Sequence, residues 1–170
     1  MIGKIQLYTG NGKGKTTAAL GLAIRAAGAG LKVFMGQFVK GMHYHELDVL
    51  DKLPNITCKQ YGLDCFIVNE PTQKDIDAAR QGFIEMSSVV REGNYDLVIF
   101  DEINIALYYK LVSLKELMEL LRDRPQQMEV VLTGRYAPEK LIEMADLVTE
   151  MKEVKHYYKE GLEARKGIEY

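Results

Sequence analysis

Polar and apolar positions alternate in Lys4–Thr9 (KIQLYT), the period-two signature of a strand. A glycine-rich stretch follows. Lys15–Ala29, rich in Ala and Leu, predicts a helix closed by Gly28 and Gly30. Lys32–Phe38 predicts a second strand, Lys40–His45 a loop, Glu46–Lys52 a short helix before Pro54, and Asn55–Tyr61 a third strand. Gly62–Pro71 has no periodicity and predicts an irregular loop. Thr72 is a good N-cap for a helix over Gln73–Gly93, in which Ile76, Ala79, Phe83, Met86 and Val90 recur at helical spacing. Asp96–Asp101 (DLVIFD) is an unbroken apolar run ending in acid, the pattern of a central parallel strand covered on both faces. Ile103–Lys110 and Leu114–Arg122 predict helices, Glu129–Thr133 a strand, Pro138–Ala145 a helix and Leu147–Met151 a last strand; Lys152–Tyr170 mixes charges without a pattern.

Strands alternating with helices imply an α/β fold with a mostly parallel central sheet flanked by helices and joined by right-handed crossovers. With no repeat, low-complexity tract or linker, residues 1–170 predict a single domain. Ligands of such sheets bind beyond the carboxyl ends of the strands. Thr9, Asp101 and Thr133 all stand at such ends, so one crevice is expected to gather them.

The net charge of −2 argues against a general nucleic-acid binder, which normally carries a basic excess. Cys58 and Cys65 are too few for a disulfide framework and lack the companions of a zinc site, so both read as reduced thiols of a cytoplasmic protein. No stretch approaches the roughly 18 apolar residues of a membrane span, and no charged-then-apolar leader precedes the first strand.

The glycine-rich stretch is Gly10-Asn11-Gly12-Lys13-Gly14-Lys15-Thr16-Thr17, a phosphate-binding loop between strand and helix. Its backbone N–H groups wrap phosphate oxygens, the helix start adds its positive end, Lys15 supplies a charge and Thr16 a hydroxyl for Mg²⁺. Thr9 occupies the position where the usual pattern has its first glycine, with Gly10 one residue late. Asp101-Glu102, delivered by an apolar strand, fits a carboxylate that holds Mg²⁺ directly or through water. If the strand geometry continues, the two carboxylates face opposite ways. Thr133-Gly134-Arg135 can bring a guanidinium to a triphosphate. His43-x-His45 with Glu46 has metal-like spacing, but a polar loop makes simple solvent exposure the more economical reading. His156 either reaches a ligand or sits on the surface.

These segments, with Gln37-Phe38-Val39-Lys40-Gly41, Val154-Lys155-His156 and Gly167-Ile168-Glu169-Tyr170, occur in an order that resembles the P-loop type ATP:cob(I)alamin (corrinoid) adenosyltransferases over nearly the whole chain. The resemblance implies a RecA-like fold, a homodimer, and transfer of the 5′-deoxyadenosyl group of ATP to Co(I) of a reduced corrinoid with release of triphosphate, in adenosylcobalamin biosynthesis or salvage. It also implies Mg²⁺ or Mn²⁺ and a flavoprotein or flavodoxin-type electron donor. Gly10–Thr17 would hold the nucleotide; Lys15, Glu102 and Arg135 would act on the phosphates, and Thr16, Asp101 and Glu102 would hold the metal. Many relatives carry a Gly-Phe-Thr-Trp-like segment against the corrin. Here the corresponding stretch is Gly62-Leu63-Asp64-Cys65-Phe66-Ile67, with one aromatic residue and no tryptophan, and Leu63 and Phe66 are its candidates for that contact.

Co(I) is a nucleophile with no proton to lose, so attack on C5′ needs no general base. The task left to the protein is to stabilise a leaving triphosphate and to align the reactants. Since C5′ rather than the γ-phosphate must face the corrin, ATP is expected to lie in the loop in an unusual direction. Two other classes share the same loop: a P-loop phosphotransferase or NTPase, which would release ADP or phosphate, and a non-catalytic nucleotide switch, which would bind partners without turnover.

Overall fold

Six strands form one wholly parallel sheet: β1 (Ile5–Thr9), β2 (Val33–Phe38), β3 (Ile56–Tyr61), β4 (Leu97–Asp101), β5 (Glu129–Thr133) and β6 (Leu147–Glu150), in the order β3-β2-β4-β5-β1-β6. The computed structural model of the protein describes residues 2–63 and 70–170. The connections carry α1 (Lys15–Gly28), α2 (His45–Leu50), α3 (Gln73–Glu92), α4 (Ile103–Tyr108), α5 (Leu114–Asp123) and α6 (Glu139–Met144). The α/β architecture with a parallel sheet is the one the alternating pattern predicts.

Period-two alternation divides the core between the two faces of the sheet. Phe34, Phe38, Val98, Phe100 and Leu132 pack with Phe83 and Met86 of α3 and Leu117 and Leu121 of α5. Val33, Met35, Leu97, Ile99 and Val131 face Ala19, Ala23 and Ala26 of α1. Alanine at those three positions, one stripe of the helix, lets α1 lie close against the sheet and carries the glycine-rich loop with it. β4 is buried at all five residues, and burying Phe100 alone contributes about 1.5–3 kcal/mol.

Four strands begin one residue later than the pattern suggests, because the leading polar residues are engaged at the sheet entrance. The Lys32 backbone N–H donates to Asp96 Oδ2 at 2.8 Å and the Asp96 N–H donates to the Lys32 carbonyl at 2.9 Å, while Lys4 N–H donates to Glu129 Oε2. Thr72 caps α3 through a reciprocal box with Asp75, and Gly93 ends it at φ 68°. The α3 stripe buries Ala79, Phe83, Met86 and Val90, whereas Ile76 in the first turn is exposed.

The stretch after β6 departs most from expectation. Where the sequence shows no pattern, a 3₁₀ turn forms at Tyr157–Glu160, and the residues beyond it return to the glycine-rich loop.

Candidate functional site

The glycine-rich loop joins β1 to α1 at the carboxyl edge of the sheet. β6 leaves the sheet beside it, and backbone bonds clamp the two together: Met151 N–H donates to the Thr9 carbonyl at 2.8 Å, and Gly12 N–H to the Met151 carbonyl at 2.6 Å. This crossing accounts for the displaced glycine. Gly10 has φ 94°, and a Cβ there would stand 2.5 Å from the Met151 carbonyl oxygen. Thr9 still belongs to β1 and pairs with Glu150, so a side chain is tolerated at that position.

Lys15 is buried at 6 % exposure, and its Nζ donates to the carbonyls of Gly10 at 2.8 Å and Gly12 at 2.7 Å. The loop thus folds around the ammonium it would offer to phosphate. Burial lowers the Lys15 pKa, and the nearby Glu102 opposes that shift. Gly14, at φ 116°, starts α1 without a side-chain cap, so the first-turn amides face the loop.

Asp101, fully buried at the end of β4, collects four donors. Thr133 Oγ1 donates at 2.7 Å, Thr16 Oγ1 at 3.0 Å, Lys40 Nζ at 2.7 Å and Gln37 Nε2 at 3.3 Å. Lys40 Nζ also donates to Thr16 Oγ1 at 3.1 Å. Burial pulls the Lys40 pKa down, but the Asp101 carboxylate outweighs it and the net shift is upward.

Glu102 does not continue the strand. It turns at φ 57°, ψ 21°, and its backbone N–H donates to Thr133 Oγ1 at 2.9 Å. The adjacent carboxylates therefore part at a left-handed residue rather than by strand alternation. Burial, then the charge of Asp101, raises the Glu102 pKa; Lys40, Lys15 and Arg135 oppose it. Fully buried Asn104 donates from Nδ2 to the Gly134 carbonyl at 2.9 Å and holds the turn that presents exposed Arg135.

The cleft above the loop has a volume of about 530 Å³ and is lined by residues including Lys15, Thr16, Lys40, Glu102, Arg135 and His156. Its outer wall is the returning chain. Lys13 Nζ donates to Glu169 Oε1 at 2.8 Å, to the Ile168 carbonyl at 2.9 Å and to Tyr157 Oη at 3.2 Å. Tyr157 also donates to Glu169, and Arg165 adds a third donor, the second that is cationic. Together these hold the Glu169 carboxyl well below the usual carboxylate range, with Lys13 foremost. A second cavity of about 420 Å³ shares Lys40, Glu102 and Arg135 with the cleft and is otherwise walled by Val39, Ile105, Tyr109 and Tyr136.

The structure gathers Gly12, Lys13, Gly14, Lys15, Thr16, Thr17, Glu102 and Arg135 around the cleft, with Asp101 beneath it; Gly10 and Asn11 form the start of the loop. Leu63 is not there: it lies beside Val39, Tyr61 and Leu111 in a separate small pocket. Phe66 lies outside the described residues. Sequence reasoning assigned no role to Gln37, Lys40, Asn104, Tyr157 or Glu169. Lys40 had a signal, a lysine just past the carboxyl end of a strand. Glu169 stood only in the Gly167–Tyr170 segment of the family resemblance, and nothing local pointed to a contact that spans 156 positions. In the His43–His45 stretch, Glu46 does not join the two histidines; Asp48 does.

Comparisons agree with this architecture. A KaiC-like protein of Pyrococcus horikoshii shares the fold with TM-score 0.58 at 19% identity, over 89% of this chain and 72% of that one, as expected for a RecA-like sheet. The corrinoid adenosyltransferase of Sinorhizobium is 37% identical over 99% of this chain and 80% of its own length. That of Escherichia coli K12 is 34% identical over 99% and 86%, and the corrinoid adenosyltransferase CobA of Salmonella typhimurium LT2 is 32% identical over the same shares. The family model for ATP:corrinoid adenosyltransferase BtuR/CobO/CobP matches residues 2–170. With its glycine-rich loop, its Asp101-Glu102 strand end and its returning tail all inside that match, this chain belongs to the ATP:corrinoid adenosyltransferase family.

Proposed function

We propose that this enzyme transfers the 5′-deoxyadenosyl group of ATP to the Co(I) of a reduced corrinoid and releases triphosphate. The observation that carries the reading is the shared wall of two cavities. Lys40, Glu102 and Arg135 line both the polar cleft over the glycine-rich loop and the more apolar cavity next to it. The loop amides and Lys15 are suited to phosphate, and Val39, Ile105, Tyr109 and Tyr136 to part of a corrin face. C5′ belongs at the boundary, which requires the triphosphate to point away from the corrin. A nucleotide-bound structure with its γ-phosphate in the apolar cavity would overturn that direction.

Lys15, on leaving its carbonyl partners, neutralises charge that grows on the leaving triphosphate, and Arg135 adds a second cation from the rim. Nucleophilic Co(I) surrenders no proton, so the protonation of Glu102 bears on charge balance and not on base catalysis.

Thr16 Oγ1 and Asp101 offer hard oxygen donors that already surround one cation, the Lys40 ammonium, and Glu102 stands beside them; this set fits Mg²⁺ or Mn²⁺. When bound there, the ion would supply positive charge that offsets the charge of the phosphates. A homodimer, a cytoplasmic setting and a flavoprotein or flavodoxin-type donor that keeps cobalt reduced complete the reading. Among the described residues, no helix is long and apolar enough to cross a membrane.

The test is an anaerobic assay with ATP, Mg²⁺ and chemically reduced cobalamin. Formation of the alkylcobalt spectrum with one triphosphate per turnover is the expected result. ADP or inorganic phosphate as the product, without alkylcobalt, would identify a phosphotransferase or NTPase instead.

A further inference from the structure

We infer that His43, His45 and Asp48 form a binding site for a divalent transition metal of the zinc class at the rim of the nucleotide cleft, apart from the Mg²⁺ position at Thr16. The local chain geometry brings the three together. Tyr44 is extended, at φ −109°, ψ 138°, so the residues on either side of it project to one side. His45 opens α2, and Asp48 lies three positions on, over the same face of the first turn. The ligand atoms of all three lie within 4.8 Å of one another.

The distances match a metal's coordination shell. His43 Nε2 stands 3.1 Å from Asp48 Oδ1, and His45 Nδ1 stands 3.6 Å from Asp48 Oδ2. A tetrahedral zinc with bonds of 2.0–2.1 Å has ligand–ligand edges of about 3.3 Å, close to each contact taken singly; the two contacts run to different oxygens of Asp48, of which one would be the ligand.

His45 Nε2 is shut off from solvent and has no hydrogen-bond partner among the described residues, so Nδ1, which faces Asp48, is the nitrogen this ring offers to a metal. Two imidazoles and one carboxylate favour Zn²⁺, Co²⁺ or Ni²⁺ over Mg²⁺, which prefers an all-oxygen octahedron. Three protein ligands leave a fourth position open. His45 also lines the cleft, so that position is available to water or to a phosphate oxygen.

This inference stands on the geometry of the Met42–Asp48 segment and does not depend on the adenosyl-transfer reading. It is tested by titrating Zn²⁺ into the full chain, free of any affinity tag and in excess Mg²⁺, with competition against a chromophoric chelator. One Zn²⁺ per chain is expected, and His43→Ala, His45→Ala and Asp48→Asn should each weaken binding at least about tenfold. Co²⁺ should give tetrahedral ligand-field bands without thiolate charge transfer, since Cys58 is not a ligand. His43→Gln, checked by circular dichroism, guards against a folding defect. Absence of stoichiometric binding, or affinity unchanged in both histidine variants, overturns the site.

Discussion

The Nζ of Lys40 lies 2.7 Å from Oδ2 of Asp101, so a lysine just beyond β2 supplies the charge partner of a carboxylate buried at the end of β4. Removing one member of such a pair strands the other, although Thr16, Thr133 and Gln37 still donate to Asp101. Lys40→Met, which keeps most of the volume, should therefore cost about 3 kcal/mol in urea denaturation. The pH dependence has a definite sign. A lysine whose folded pKa is raised contributes stability in full below its ordinary value of about 10.4, and that contribution disappears as pH rises through the higher folded value. Wild type should lose stability in that alkaline window, and Lys40→Met should not show the same loss. An identical alkaline profile would remove Lys40 from the account.

Lys15→Ala should lower kcat/KM for adenosyl transfer by roughly 10²–10³ while the chain stays folded. The side chain is a buried cation whose hydrogen-bond partners among the described residues are two loop carbonyls, so its loss should disturb the phosphate cradle far more than the core. Wild-type turnover in this variant would show that the loop does not hold the triphosphate.

Gly10→Ala and Gly28→Ala make a matched pair. At Gly10 the new methyl meets the Met151 carbonyl oxygen and the backbone is left-handed, so a loss of about 1–3 kcal/mol and weakened ATP binding are expected. At Gly28, which closes α1, a Cβ meets nothing within 4 Å, and the substitution should be neutral or stabilise by about 0.5–1 kcal/mol. Thermal melts with and without ATP distinguish the two.

Glu169→Gln tests the returning tail. Glu169 is held below the usual carboxylate range by Lys13, Tyr157 and Arg165, so its contribution is present above the ordinary glutamate pKa of about 4.3 and persists as pH falls, until the depressed folded value is reached. Amide exchange should show Arg165, whose N–H donates to Glu169 Oε2 at 2.7 Å, protected in wild type at pH 4 and unprotected in the variant even at pH 7. Equal protection in both would mean that the tail is held by other contacts.

What the sequence made legible follows from range. β4, α1 and the loop between β1 and α1 are written in contiguous residues, and their pattern suffices to place Lys15, Thr16 and Asp101 near one another. Gln37 and Lys40 come to Asp101 only through the register of β2 on β4, where Gln37 stands opposite Asp101. No local pattern encodes that register. Glu102 illustrates a different gap: strand alternation was the natural expectation for its direction, but the strand stops at Asp101 and Glu102, a non-glycine residue, takes the left-handed region. The tail entered only through the family resemblance; its contact with the loop was not legible, because its charged residues resemble a solvated surface until Lys13 is placed beside them.

The position of β1 in the sheet bears on how the protein acquires its nucleotide. Gln6 pairs with Val131 on one side and Leu147 on the other, so the strand that leads into the phosphate loop is flanked by segments made more than a hundred residues later. On the ribosome, β2, β3 and β4 can associate while β1 waits with both edges bare. The cradle is then among the last parts of the molecule to close, after the slow, long-range pairings are in place. A chain that has not finished folding has nowhere to seat ATP, and a chain that holds ATP is stabilised throughout its sheet by mass action.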